Sequence, residues 1–340
     1  MTAAADRAAL ESALASIVEA SAALRRVNRA SLTPAVAVDL ARIYAAALRL
    51  KTMVTTLMQK DGDVDQLFSQ SNVRHELNTP LNHIIGYSEL LLEEGGIDAI
   101  AAELGSMHTA AKAMFRIVNP ASASGSAVEA TAATVATAVT EQNPSTTGEP
   151  GVVLLVDDDP DHRELLRRHV VALGHKTLAA EHGRRALDLL ENERPDVILL
   201  DIHMPVMDGF ETLASLKEHP VWREIPVIVL SALDDLNSVA RCIQMGAEDY
   251  LHKPANAVLL NARIGGALTR KRLRDQELQY LNAVADVSAA AVAIELDIFE
   301  PSMLDPAAAR PDAIGHLARV VQSMAREIQA RHDALQRDKP

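Results

Sequence analysis

Six polar side chains in the second half of the chain sit where an open parallel sheet would gather them. Asp157, Asp158 and Asp159 follow the apolar run Val152 to Val156, and Asp201 closes the run Val197 to Leu200. Ser231 closes Val227 to Leu230, and Lys253 stands just past Asp249 to Leu251. Carboxylates crowded into one crevice raise each other's pKa unless a cation lies among them. Mg²⁺ suits such a crevice, because it takes oxygen ligands and keeps positions open for water and phosphate. An ammonium and a small hydroxyl opposite would complete a pocket for a phosphoryl group, with one of the carboxylates as nucleophile. Asp159 is the weakest candidate: Asp followed by Pro160 is the pattern of a helix N-cap with proline in the first turn.

A second centre lies in the first half. Counted at about 100° per residue from Val73, the residues Leu77, Leu81, Ile84 and Leu91 fall on one stripe, and His75, Thr79, Asn82, Gly86 and Glu89 fall between about 160° and 240°. His75 is thereby set away from the core, as an exposed imidazole. Pro80 lacks the amide that would bond to the Glu76 carbonyl and should loosen the helix near His75. Glu76 could polarise the imidazole as a base.

The elements that must carry these residues divide the chain. Residues 119–150 are Ala, Ser, Thr, Gly and Pro with almost no large side chains, so they bury too little to offset ordering entropy and read as a flexible linker. In front of it, seams at spacings of three and four predict packed helices. One comprises Leu10, Ala13, Ile17, Ala20, Leu24 and Val27, and a second Leu40, Ile43, Ala47, Leu50, Val54 and Leu57. The third runs from Ile97 through Leu104 and Ala111 to Val118, and Gly95-Gly96 before it predicts a helical hairpin. Behind the linker, five apolar runs without alternation, each followed by an amphipathic stretch, predict a parallel sheet covered on both faces. The fifth and second strands are the short ones, at 249–251 and near 177–180. After about Ala255 the chain is helical again, with Leu317, Val321, Met324, Ile328 and Leu335 in heptad spacing broken by Arg331.

Composition narrows the function. There are 33 Lys and Arg against 46 Asp and Glu, a net charge of −13, which argues against nucleic acid as a partner. A single cysteine excludes a disulfide framework and suits a reducing cytoplasm; Cys242 and Met245 are expected to pack. The N-terminal stretch has early charges unlike a secretory signal, and no apolar run is long enough for a membrane span, so a cytoplasmic location is expected.

The motifs LLVDDDP (154–160), DVILLDIHMPVMDG (196–209), PVIVLSAL (226–233) and GAEDYLHKP (246–254) together resemble the receiver domain of bacterial response regulators, over about 151–272. The resemblance implies a doubly wound, flavodoxin-like α/β fold with Asp201 phosphorylated. It implies that Asp157, Asp158 and the backbone carbonyl of His203 hold Mg²⁺ with Asp201. Ser231 and Lys253 would contact the phosphoryl oxygens, and Tyr250 would be an aromatic switch. RHELNTPLNHIIGYSELL (74–91) resembles the dimerisation and histidine-phosphotransfer domain of sensor histidine kinases, over roughly 65–118. That implies an all-α hairpin that dimerises into a four-helix bundle, with His75 as phosphoryl carrier and Glu76 and Thr79 able to assist dephosphorylation of a receiver. Asn78 stands where that family usually has Arg or Lys.

No Gly-rich phosphate loop and no Asp-x-Gly-x-Gly occurs, so the chain is not expected to phosphorylate itself from ATP. The expected organisation is an N-terminal helical segment (1–64), the hairpin (65–118), the linker (119–150), the receiver (151–272) and C-terminal signalling helices (273–340). The expected protein is a homodimeric phosphorelay component, dimerised through the hairpin and the C-terminal helix, whose partners are an upstream histidine kinase or a partner receiver. The alternatives are a receiver phosphatase, and a dimerisation module controlling an output beyond residue 340.

Overall fold

The computed structural model describes residues 3–27, 32–59, 71–94, 97–119, 150–231, 236–295 and 299–337. The linker and the Gly95-Gly96 turn lie outside the described residues, apart from positions 119 and 150. The chain forms two compact units, residues 1–268 and 269–340.

Among its described residues the first unit opens with four helices: α1 (Ala3–Arg26), α2 (Pro34–Met58), α3 (Ser71–Glu94) and α4 (Ala101–Val118). Thr33 caps α2 by accepting from the Val36 amide, and Pro34 occupies the first turn, where its missing N–H costs nothing. The seams read from sequence close on one another. Ile17 of α1, Ile43 and Leu50 of α2, Leu81 and Ile84 of α3, and Leu104 and Met114 of α4 share a single core, each almost wholly buried. Pro80 is accommodated inside an uninterrupted α3.

In this core α1 packs along α4 and α2 along α3. α1 and α2 each carry an apolar stripe as long as those of the hairpin, and burying it against a tethered partner incurs no association entropy.

The second half of this unit alternates strand and helix: β1 (Val152–Val156), α5 (Pro160–Ala172), β2 (Lys176–Ala180), α6 (Gly183–Leu190), β3 (Val197–Asp201), α7 (Gly209–Glu218), β4 (Val227–Ser231), α8 (Leu236–Gln244) and β5 (Asp249–His252). All neighbouring strands pair in parallel, in the order β2-β1-β3-β4-β5. This is the flavodoxin-like doubly wound sheet, with one apolar cluster on each face. β3 and β4 are buried at every position, which is why they read as unbroken apolar runs.

Helix α9 (Ala257–Glu295) follows β5 and continues into the second unit, where it packs with α10 (Asp305–Ala308) and α11 (Ala313–Arg337). On α11, Ile314, Ala318 and Ala325 turn inward and share a core with Ala283, Ala290 and Ala293 of α9, whereas Leu317 and Met324 of the expected heptad are exposed. The side chains of Ile328 and Leu335 lie outside the described residues.

Candidate functional site

The carboxyl ends of β1, β3, β4 and β5 form the crevice, and the register sets its layout. Asp201 pairs with Leu230 and Ser231 with His252, so the acid, the hydroxyl and Lys253 emerge from adjacent strand ends. Lys253 Nζ donates to Asp201 Oδ2 at 2.6 Å and to Asp157 Oδ2 at 2.8 Å. Carboxylate oxygens of Asp157, Asp158 and Asp201 lie within 4.8 Å of one another. Asp157 and Asp201 are buried, and Asp158 is exposed.

Gly209 closes the floor of the crevice. A Cβ there would lie 2.3 Å from the Asp201 carbonyl oxygen, so any side chain would displace the backbone that aims Asp201. Asp208, just before it, caps α7 in a reciprocal box with Glu211.

Charge in the crevice is unevenly matched. Burial would push the Asp157 carboxyl up, but the neighbouring His162 and Lys253 hold it well below the usual carboxylate range. Burial pushes Lys253 down, yet Asp201 and Asp157 outweigh it and raise the ammonium above its ordinary value. Asp158 is raised, by burial and then by the negative charges of Asp201 and Asp157. Three carboxylates this close together around one ammonium leave negative charge that Lys253 does not balance. Hard oxygen donors with surplus negative charge fit a Mg²⁺ ion.

The other residues expected at the site surround this core of charge. His203 is exposed and its amide reaches Asp201 Oδ1 at 3.4 Å. Ser231 is buried, with Oγ 3.3 Å from His252 Nδ1. Tyr250 is half-buried and meets the His252 ring edge-on at 5.2 Å. Asp159 caps α5, accepting from the amides of Asp161 and His162. Cys242 packs in the core.

α3 meets this crevice. Thr79, Asn78, Asn82 and His83 line a cavity of about 370 Å³ together with Asp158, Asp201, His203 and Lys253. The face of α3 read as lying opposite its apolar stripe is therefore turned, at Thr79 and Asn82, toward the crevice. Glu76 is exposed one turn earlier, and the side chain of His75 lies outside the described residues. Asn78 is buried in a reciprocal amide pair with Asn119, Nδ2 to Oδ1 at 3.1 Å and 2.8 Å. That pairing gives the departure at this position a structural role: the amide ties α3 to the end of α4.

Three histidines that no motif singled out also adjoin the site. His162 Nδ1 lies 2.6 Å from Asp157 Oδ2, His83 Nε2 lies 2.9 Å from Asp159 Oδ2, and His252 adjoins Ser231. His162 was within reach of sequence reasoning, since it falls in the first turn of the helix that Asp159 caps. His83 carried no local signal, because its partner comes from the other half of the unit.

Comparison with known proteins settles what these halves are. Residues 153–265 match the response regulator receiver domain, and residues 69–120 match the His Kinase A (phospho-acceptor) domain. The chain carries a receiver behind a phospho-acceptor domain. Both are domains of two-component signalling. Among curated relatives, the response regulator PleD of Caulobacter vibrioides is 34% identical over 177 residues, covering 52% of this chain and 36% of PleD. The response regulator MprA of Mycolicibacterium vanbaalenii is 39% identical over 121 residues, 36% of this chain and 52% of MprA. The chain thus spans about half or less of the length of these relatives. A crystal structure of the receiver domain of a signal transduction histidine kinase from Syntrophus aciditrophicus is 37% identical, covering 35% of this chain and 90% of that one, with a TM-score of 0.34. Among the described residues, no helix is long and apolar enough to cross a membrane.

Proposed function

We propose that this two-component protein is a phosphorelay unit in which Asp201 accepts a phosphoryl group and α3 of the same chain acts on it. One observation supports this reading above the others: Thr79 and Asn82 of α3 line one cavity with Asp201 and Lys253. In the acceptor step an Oδ of Asp201 attacks the phosphorus of a donor, the donor's bond to phosphorus breaks, and its leaving group takes the electron pair. Lys253, already on Asp201 Oδ2, would meet the charge on the phosphoryl oxygens, and Ser231 would contact another. Asp157, Asp158, Asp201 and the His203 carbonyl would hold Mg²⁺, which supplies further charge neutralisation. Tyr250, beside His252 on β5, would register the state of Ser231.

His75 is the proposed carrier that exchanges a phosphoryl group with Asp201, on the same helix as Thr79. The domains read from sequence keep their boundaries in this proposal, and without an ATP-binding segment the phosphoryl group would come from a partner kinase or another phosphorylated receiver. A cytoplasmic location and contacts between copies through the C-terminal helix belong to the same reading.

A second reading draws on the same cavity. Thr79 lines it with Asp201, which suits a hydroxyl orienting water toward the phosphorus of phospho-Asp201, with Glu76 exposed one turn earlier on α3. Label from a small acyl phosphate and Mg²⁺ should be alkali-labile in the wild type and absent in Asp201→Asn. Acid-labile, alkali-stable label that disappears in His75→Gln would establish transfer. Thr79→Ala that prolongs phospho-Asp201 while His75 labelling persists would favour dephosphorylation. Label from ATP alone would contradict the absence of autonomous kinase activity.

A further inference from the structure

We propose that the N-terminal helical pair is a clamp that reserves α3 for the receiver of its own chain, and that α2 reads the receiver's first helix. The segment lies outside both matched domains, 69–120 and 153–265. The pair packs along the hairpin helices, and the outer face of α2 meets α5.

The contacts are specific in charge and shape. Asp39 of α2 is buried, 1% exposed, and its Oδ2 accepts from Arg168 Nη1 of α5. Its Oδ1 accepts from Arg42 Nη1 at 3.3 Å. Arg42 Nε in turn lies 3.1 Å from Asp161 Oδ1, with Arg49 Nη2 3.9 Å from Asp161 Oδ2. The Arg42 guanidinium stands over the Tyr87 ring at 5.3 Å, and the Tyr87 hydroxyl donates to the Asp161 carbonyl at 2.9 Å. Between these polar ends, Leu165 of α5 is buried in the bundle's own core. It sits over Gly86, where a Cβ would come within 2.2 Å of Leu165 Cδ2.

Asp161, Leu165 and Arg168 are spaced four and three residues apart, so they form one stripe of α5. The bundle offers a complementary stripe: Arg42 for the acid, the Gly86 notch for the leucine, Asp39 for the base. A receiver whose first helix lacks acid, aliphatic and base at those spacings would leave Asp39 buried with Arg42 alone and would not fill the notch. Two charges removed from water are tolerated only when matched, so mismatch is penalised more than match is rewarded. The inference rests on the reading that α3 acts on Asp201, but the contact itself can be tested without any phosphoryl chemistry.

Hydrogen exchange on the full chain provides that test. In Arg42→Glu and in Arg168→Glu, amides of α5 should exchange roughly tenfold faster or more, while amides of α4 and β3 keep their protection. Arg42→Glu combined with Asp161→Arg should restore the α5 protection. Unchanged α5 exchange in both single variants, or a double variant no slower than Arg42→Glu, would overturn the clamp. If α4 and β3 lose protection in the charge reversals, the neutral Arg168→Gln is read in the same way. His75→Gln should leave α5 exchange as in the wild type, so failure of phosphoryl transfer and failure of the clamp give different results.

Discussion

At the residue scale, the crevice depends on one ammonium shared between two carboxylates. Lys253 offsets charge on both Asp157 and Asp201. Replacing it with Met should abolish labelling of Asp201 by a small phosphodonor and raise the apparent pKa of Asp157, measurable by NMR titration of the carboxyl carbons. Asp157, Asp158, Asp201, Ser231 and Lys253 were legible because a parallel sheet gathers at one edge the residues that end its apolar runs. His83 and His252 were not legible, because they acquire their partners only through tertiary placement. Asn78 shows the same limit: its paired amide is set by Asn119, 41 positions away. Asn78→Ala should leave the Asn119 amide short of a partner and cost about 1–3 kcal/mol in urea unfolding.

At the element scale, α1 and α2 have the packing of core helices. Ile17 is fully buried on α1 against α4, so Ile17→Ala should destabilise the bundle by about 2–5 kcal/mol in the full chain. A bundle built from two copies of the hairpin would lose little from that change. The stripes of all four helices could be read from spacing. Which stripe pairs with which could not, since helical periodicity fixes a face and not its partner. The same ambiguity explains α11, where two apolar stripes coexist and the one with alanines packs. The N-terminus of α5 adds a pH dependence. Burial would raise Asp159, but His83 and the capping amides bring its carboxyl down to about 2. A depressed carboxyl contributes stability above its ordinary pKa and loses it as pH falls toward the depressed value. Protection of α5 amides should therefore fall between roughly pH 4 and pH 2, and in His83→Gln, where less of the depression remains, the fall over that range should be smaller.

At the scale of the whole molecule, a phospho-acceptor bundle and a receiver lie against each other within one chain, so no second protein is needed to bring them together. A tethered pair acts at a fixed effective concentration, independent of how dilute the protein is. The doubly wound sheet, the helical front and their order along the chain were legible from apolar runs and motifs. The docking of one on the other was not, because residues 119–150 carry no pattern that would orient it. The most direct test is the lifetime of phospho-Asp201 after loading with a small acyl phosphate, followed over a wide dilution series. Action of α3 on Asp201 within one chain predicts a single lifetime at every concentration in the wild type and a longer one in His75→Gln/Thr79→Ala. A lifetime that lengthens as the protein is diluted, or one unchanged in the double variant, would contradict it.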